Sequence, residues 1–452
     1  MNSTFTLWAM LRSRGSRGGD PQRLTEVLAV IAFATTTAVL LVVIGGSRAF
    51  WDRAGGADGI RTGLEAAETP YAVQYPFLAG IAVLLILVPL GTLGAAAARM
   101  AAARRDARLA ALRLCGATRS QVAGLTVLDA AAQAAVGALV GIVGYAALVP
   151  VVAQVRFQGR TFDLAELWVG VPVLLLAVLA VLVVAVLSAV ASLRRVAITP
   201  LGVANRVTPP GLRAVRLVAT VVVVLALLVA TRIPLGSVGV VIAVLTGLLL
   251  AAFATLNLVG PFVIWVVGRL TAGMARSVPT LLAGRRIADS PKSAWRSVGG
   301  VSLGAFIAGL TATFSLLDPS DSGRADEAAF IADLKTGGFL TLAIAGLLAA
   351  VSTGVMQAGR VIEQRDEHRA LVLAGTDHRT LDRARMRETL VPLVVSVGVA
   401  TVTVLMVMVP VVGLQPVAHP SVVVQYLICV AAASGLVLAG AATSRGVART
   451  VA

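Results

Sequence analysis

Charge is scarce in this chain. Asp, Glu, Lys and Arg make up 13% of its 452 residues, against roughly a quarter in soluble domains, so it cannot dress several water-facing domains in a hydrated surface. Lysine is nearly absent, with only Lys292 and Lys335. No Gly-x-x-x-x-Gly-Lys-Ser/Thr occurs, which excludes a P-loop ATPase on this chain alone. Two cysteines, Cys115 in a basic loop and Cys429 in an apolar run, are too few and too separated for a disulfide framework or a cysteine metal site, and both are read as free thiols. His368, His378 and His419 lack the further convergent ligands that zinc needs and are read as loop residues. Neither a Ser-based hydrolase nor any other catalytic constellation is in evidence.

Apolar sequence takes the place of charge. Hydrophobic residues reach 58%, with a mean hydropathy of +0.91, gathered into runs long enough to cross roughly 30 Å of hydrocarbon. Ten candidate spans follow: 24–44, 77–98, 122–149, 167–191, 215–230, 238–259, 298–317, 339–358, 390–412 and 422–442. None shows the alternation of a barrel strand, so helices are expected, since backbone groups in hydrocarbon must pair within their own segment. The fifth run is short, and a re-entrant hairpin there, leaving eight spans, is the alternative. Arginines precede the first span without a small-residue cleavage pattern after it, which reads as a retained anchor.

The formal charge of +16 reports orientation, because the basic residues sit in short loops rather than on a folded basic face. Segments 99–119, 194–216, 269–296 and 360–387, with both termini, hold 30 of the 38 basic residues. The other side holds eight basic and eleven acidic residues, so those segments and both termini are assigned to the cytoplasm. Arginine supplies 36 of the 38, read as the codon bias of a GC-rich bacterial genome, and the expected location is a bacterial plasma membrane. The outer loops, such as 47–76 and 318–335, are too short to bury a core of their own.

An internal repeat is the most informative pattern. Residues 104–129 lie over 363–388 at a constant offset of 259, matching Ala111-Leu112 with Ala370-Leu371, Leu114 with Leu373, Gly116 with Gly375 and Asp129 with Glu388. Each copy follows an apolar span, is charged, breaks at a glycine and resumes as a helix with an acidic residue near its cytoplasmic end. The expected division is a first repeat at 1–191 (spans 1–4), a central linker with two spans at 192–275, and a second repeat at 276–452 (spans 7–10), both repeats running the same way through the membrane. Residues 285–292 read as a short interfacial helix before span seven. Leu109 and Leu112, spaced i, i+3 among arginines, would give a surface helix with an apolar ridge suited to docking.

Arg-Asp-Ala-Arg-Leu-Ala-Ala-Leu-Arg-Leu-Cys-Gly-Ala-Thr from Arg105, followed by Asp129, resembles the signature of the FtsX-like permease family, and Glu367 to Gly375 is a second, degenerate copy. Arg108 stands where the pattern usually has glutamate, and Val372 where it usually has arginine. The resemblance covers about 77–191 and 336–442 and extends to bacitracin-type and macrolide-export permeases. It implies an all-α polytopic protein of about ten helices in two parallel repeats, serving as the permease of an ABC transporter. ATP and Mg would then be bound by a separate ATPase, expected as a homodimer, with no cofactor on this chain. The ATPase-coupling residues so implied are Arg105, Leu109, Leu112, Arg113 and Gly116 in the first copy, and Glu367, Ala370, Leu371 and Gly375 in the second. Asp129 and Glu388 would anchor those segments to the bundle. The expected cargo is amphipathic, such as a peptide antibiotic, a lipid or a hydrophobic drug, moved by mechanotransmission. The alternatives are a signal relay to an extracellular wall hydrolase or sensor, and a proton-coupled carrier.

Asp129, Gln133, Gly137 and Gly141 fall every four residues on one stripe, which reads as a helix-packing face rather than a proton path. Asp129→Asn is accordingly expected to retain full activity in a flux or ATPase assay, whereas a proton-coupled carrier would lose it.

Overall fold

Roughly 30 Å of hydrocarbon leaves a backbone no hydrogen-bond partner but itself, and the chain answers with long helices. The computed structural model describes residues 21–59, 70–103, 118–197, 238–317, 325–363, 370 and 373–451. Among the described residues nine long helices come in chain order with shorter elements between them: α1 (Pro21–Arg53), α2 (Pro70–Ala103), α3 (Arg119–Ala153), a hairpin of β1 (Arg156–Phe157) and β2 (Arg160–Thr161), one turn α4 (Leu164–Leu167), α5 (Val171–Ala197), α6 (Val238–Gly273), the short α7 (Val278–Asp289), α8 (Pro291–Thr313), α9 (Ala325–Glu363), α10 (His378–Val412), one turn α11 (Gln415–Ala418) and α12 (Pro420–Val451). Proline opens α1, α2, α8 and α12, where its missing N–H has no intrahelical partner in any case.

Among the described residues nine helical segments are long and apolar enough to cross a membrane, matching nine of the expected spans. The fifth, 215–230, lies outside the described residues. The protein is an all-α polytopic membrane protein.

The helices overrun the hydrophobic runs that define the spans. At 1.5 Å per residue, the 34 residues of α2 reach about 51 Å and the 39 of α9 about 58 Å. Residues 325–335, expected as outer loop, are the first turns of α9, because Ala, Glu, Leu and Lys favour helix and Phe330 and Asp333 share one face at i, i+3. Span four starts later than expected: Gly170, at φ +81°, separates the turn α4 from α5. Helix α2 runs unbroken through Pro76 and Pro89.

Two groups of helices pack side by side. In one, α1 lies between α2 and α3, and α5 closes against α2 and α3; in the other, α8 packs on α9, α10 and α12, with α6 and α7 against α10. Helix α8 is central, with 78% of its apolar window buried against 22% for α3 and α5, which turn most of their surface outward to lipid. The groups meet where α9 packs on α2 and α1.

Lipid chains are as apolar as leucine, so close approach rather than hydrophobicity holds such helices together. The stripe on α3 does this against α1: a Cβ on Gly137 would lie 2.5 Å from Phe33 Cβ, and one on Gly141 2.6 Å from Thr37 Cβ. Deeper in the second group, Thr353 donates to the Ser297 carbonyl at 2.7 Å and Trp295 to the Asn257 side-chain oxygen at 3.3 Å.

Gly141→Val is expected to lower stability by about 1–3 kcal/mol through overpacking, read as a lower midpoint in thermal unfolding in detergent. Gly80→Val, where a Cβ would meet nothing within 4 Å, should leave that midpoint unchanged.

Candidate functional site

Helices α2 and α9 carry the chain from the outer end of the bundle, in the orientation the arginines imply, to the two arginine-rich segments at the inner end. Of the expected coupling residues, Arg105, Leu109, Leu112, Arg113, Gly116, Glu367 and Leu371 lie outside the described residues. The second copy is visible in part. Ala370 is exposed, its carbonyl accepts from the Ala374 N–H at 2.9 Å, and Gly375 turns the chain at φ +88°, a conformation that favours glycine. Leu373 is 80% exposed.

The helices that follow the two segments match in length and register. Thr118 caps α3 in a reciprocal box with Gln121, its hydroxyl accepting from the Gln121 N–H at 3.3 Å while Gln121 Oε1 accepts from the Thr118 N–H at 3.0 Å. Asp377 occupies the N-cap of α10. Helix α3 spans Arg119–Ala153 and α10 spans His378–Val412, 35 residues each, and both ends differ by the sequence offset of 259.

The two acidic positions have different surroundings. Asp129 is half-buried on α3, one turn before Gln133, whose Oε1 is buried with no hydrogen bond among the described residues. Glu388 on α10 approaches Arg286 of α7, Oε2 to Nη1 at 3.7 Å. Next to it, Arg387 donates to Ser277 Oγ at 2.9 Å and to Thr280 Oγ1. The interfacial helix expected at 285–292 is met in part by α7, which ends at Asp289 with Ser290 as its C-cap, while Pro291 and Lys292 already open α8; α7 is tied to the inner end of α10. Sequence inspection placed that helix but gave no sign that Glu388 would face it.

At the outer end the residues build something the sequence reading missed. The connection from α3 to α5 folds over the bundle as the β1–β2 hairpin, with Arg156 paired to Thr161 and Phe157 to Arg160. Its two-residue turn has Gln158 at φ +56° and Gly159 at φ +75°, the left-handed pair of a type I′ turn. Arg53 at the end of α1 holds it in place. That side chain is 3% exposed, pairs with Glu166 at 2.7 Å, donates to the carbonyls of Phe157 at 3.2 Å and Thr161 at 3.1 Å, and lies 4.2 Å from the Phe162 ring centre. Tyr145 donates to the Leu167 carbonyl at 2.5 Å and accepts from the Val169 N–H at 3.1 Å, fixing the α4 turn.

Beneath the hairpin lies a cavity of about 930 Å³ between α1, α2, α6, α8, α9 and α10, lined chiefly by apolar side chains including Phe50, Phe77, Leu310, Phe314, Ile344 and Met408. This is the upper range of small-molecule sites. Asp333 of α9 closes its outer rim: Oδ2 accepts from the Tyr75 hydroxyl of α2 at 2.6 Å and from the Gln158 N–H of the hairpin at 2.7 Å. One carboxylate thus links α2, α9 and the hairpin. A signal was there to find, in a tyrosine and an aspartate flanking two facing spans and in Gln-Gly between aromatic residues.

A helical bundle with paired inner segments is shared by several classes of membrane protein. Residues 95–201, from the inner end of α2 through α3 and α5, match the family model of the FtsX-like permease C-terminal domain. That stretch, about a quarter of the chain, is similar to the FtsX-like permease C-terminal domain. The match spans the first of the two arginine-rich segments, and no curated protein or solved structure matches the chain. Proteins of that family are non-enzymatic membrane subunits, and the likeness suggests an ABC transporter permease component. Cys429 is a free, buried thiol.

Removing Arg53 would strand the Glu166 carboxylate and two hairpin carbonyls. Arg53→Ala is expected to cost about 3 kcal/mol in thermal unfolding, with Arg53→Lys intermediate because it loses the planar fork. Arg160→Ala, whose 55% exposed side chain shares Glu166 at 2.8 Å, should cost less than about 1 kcal/mol.

Proposed function

We propose that this chain is an FtsX-like permease that couples ATP hydrolysis by a separate ATPase to the extraction or export of an amphipathic substrate across a bacterial plasma membrane. The observation that carries the reading is the course of α2 and α9. Each lines the apolar cavity at one end, packs against the other along the seam between the two groups, and leads at its other end into an arginine-rich segment. Helices are stiff over such lengths, so a displacement imposed at the inner ends must be taken up at the cavity. Two segments match a pair of ATPase protomers, a homodimer that supplies Mg and ATP, and the equal registers of α3 and α10 support two equivalent grips on one chain. On this reading Leu109, Leu112, Ala370 and Leu371 form the contact ridges. Arg105, Arg113 and Glu367 flank them, and Gly116 and Gly375 make the turns that follow. Glu388 braces its segment through Arg286, and Asp129 takes the equivalent position on α3. ATP-driven closure of the ATPase pair brings the segments together, and α2 and α9 transmit the movement to the cavity.

Leu112→Asp with Leu371→Asp places a charge in each ridge. The doubly substituted permease is expected to recover less than about a tenth of the ATP-binding cassette protein that co-purifies with the wild type, a loss of more than 1.4 kcal/mol. Equal recovery contradicts the coupling role.

A further inference from the structure

The outer end of the cavity carries a charge that the transport reading leaves unused. Asp333 is buried there, and both of its hydrogen bonds, from Tyr75 and from the Gln158 N–H, go to Oδ2; among the described residues nothing donates to Oδ1. Aromatic rings surround this carboxylate. Tyr75 stacks on Phe50 with centroids 5.8 Å apart and meets Phe330 edge-on at 5.4 Å, while Phe157, next to Gln158, stands edge-on to Phe50 at 5.2 Å. Ring faces and an ionised carboxylate both attract a cation and repel an anion.

Three cations described at this end have partners of their own. Arg53 and Arg160 share Glu166 at 2.7 and 2.8 Å, and Lys335 donates to the Leu317 carbonyl at 3.0 Å. Away from Asp333 the cavity wall is chiefly hydrocarbon, with Leu85, Ile307 and Met408 among its lining residues and Thr311 and Thr341 among the few polar ones. The result is a mainly apolar chamber with a carboxylate and aromatic rings at one end.

We propose that this cavity binds cationic amphiphiles, with an amine or quaternary ammonium head against Asp333 Oδ1 and the ring faces, and the hydrocarbon portion in the apolar chamber. The assignment deepens the transport reading and rests on it for what the binding serves, but binding itself requires no ATPase. The permease carries a net charge of +16, so unspecific electrostatics favour anionic amphiphiles. A preference for cations has to come from a local site.

The test is equilibrium binding of radiolabelled dodecylamine, dodecyltrimethylammonium, 1-dodecanol and dodecyl sulfate to the purified full-length permease in a neutral maltoside detergent, with micelle partition subtracted. The two cations are expected to bind at least tenfold more tightly than the alcohol, with dodecyl sulfate the weakest. Asp333→Asn should bring amine and alcohol within twofold of each other. Tyr75→Phe, which keeps the carboxylate, should preserve the preference. Equal affinity of the wild type for amine and alcohol overturns the proposal, a result that needs no variant and shows an apolar site filled by any acyl chain. A preference that survives Asp333→Asn overturns it as well. Cation-selective binding by a permease that recruits no ATP-binding cassette protein would support this site while refuting the transport reading; recruitment without selectivity would do the reverse.

Discussion

Helix α9 lies against α2 and α1, and that seam is where the two groups of helices meet. In a bilayer such a seam has little hydrophobic driving force, because lipid chains solvate leucine as well as another leucine does. It depends on shape and on a few polar contacts. At the outer end those contacts converge on Asp333, which joins α9 to α2 through Tyr75 and to the hairpin through Gln158. The first group carries its own reinforcement, with the Arg53–Glu166 pair fastening the hairpin to α1. The hairpin is thus firmly attached to one side of the seam and lightly attached to the other, an asymmetry suited to a rim that opens between them.

The same two helices that form the seam run on past their apolar stretches. A helix cannot shorten, so a shift at the inner ends of α2 and α9 must tilt or translate their outer ends, and packed interfaces respond by moving between discrete arrangements rather than by deforming smoothly. Cavity, seam and coupling segments are three positions along one pair of rods. The inner end of α10 is braced separately, through the α7 contacts of Glu388 and Arg387, which gives the second segment a fixed neighbour to move against.

Much of this was legible from residues alone. Hydropathy places every described span because hydrocarbon imposes helix on any run that crosses it, and the offset that aligns Gly116 with Gly375 also aligns the ends of α3 and α10. Helix ends were less legible. Residues 325–335 continue α9 outside the apolar run because propensity and an amphipathic face, not hydropathy, extend a helix into water. The cavity was not legible at all. It arises from side chains on six helices, and only packing brings Tyr75, Gln158 and Asp333, which are far apart in sequence, to one point. The segments proposed to couple stand out as a repeat and a family resemblance, while the Arg286 partner of Glu388 depends on how α7 lies under α10.

The claim that α2 and α9 act as paired levers is tested most directly by the distance between their inner ends. With Cys115 and Cys429 replaced, spin labels at Ala103 and Glu363 can be measured by pulsed electron resonance on the permease bound to its ATPase. The levers predict a shorter separation when ATP is bound than when the nucleotide site is empty, reverting after hydrolysis. Identical distance distributions in the two states, with the ATPase bound in both, would contradict the account.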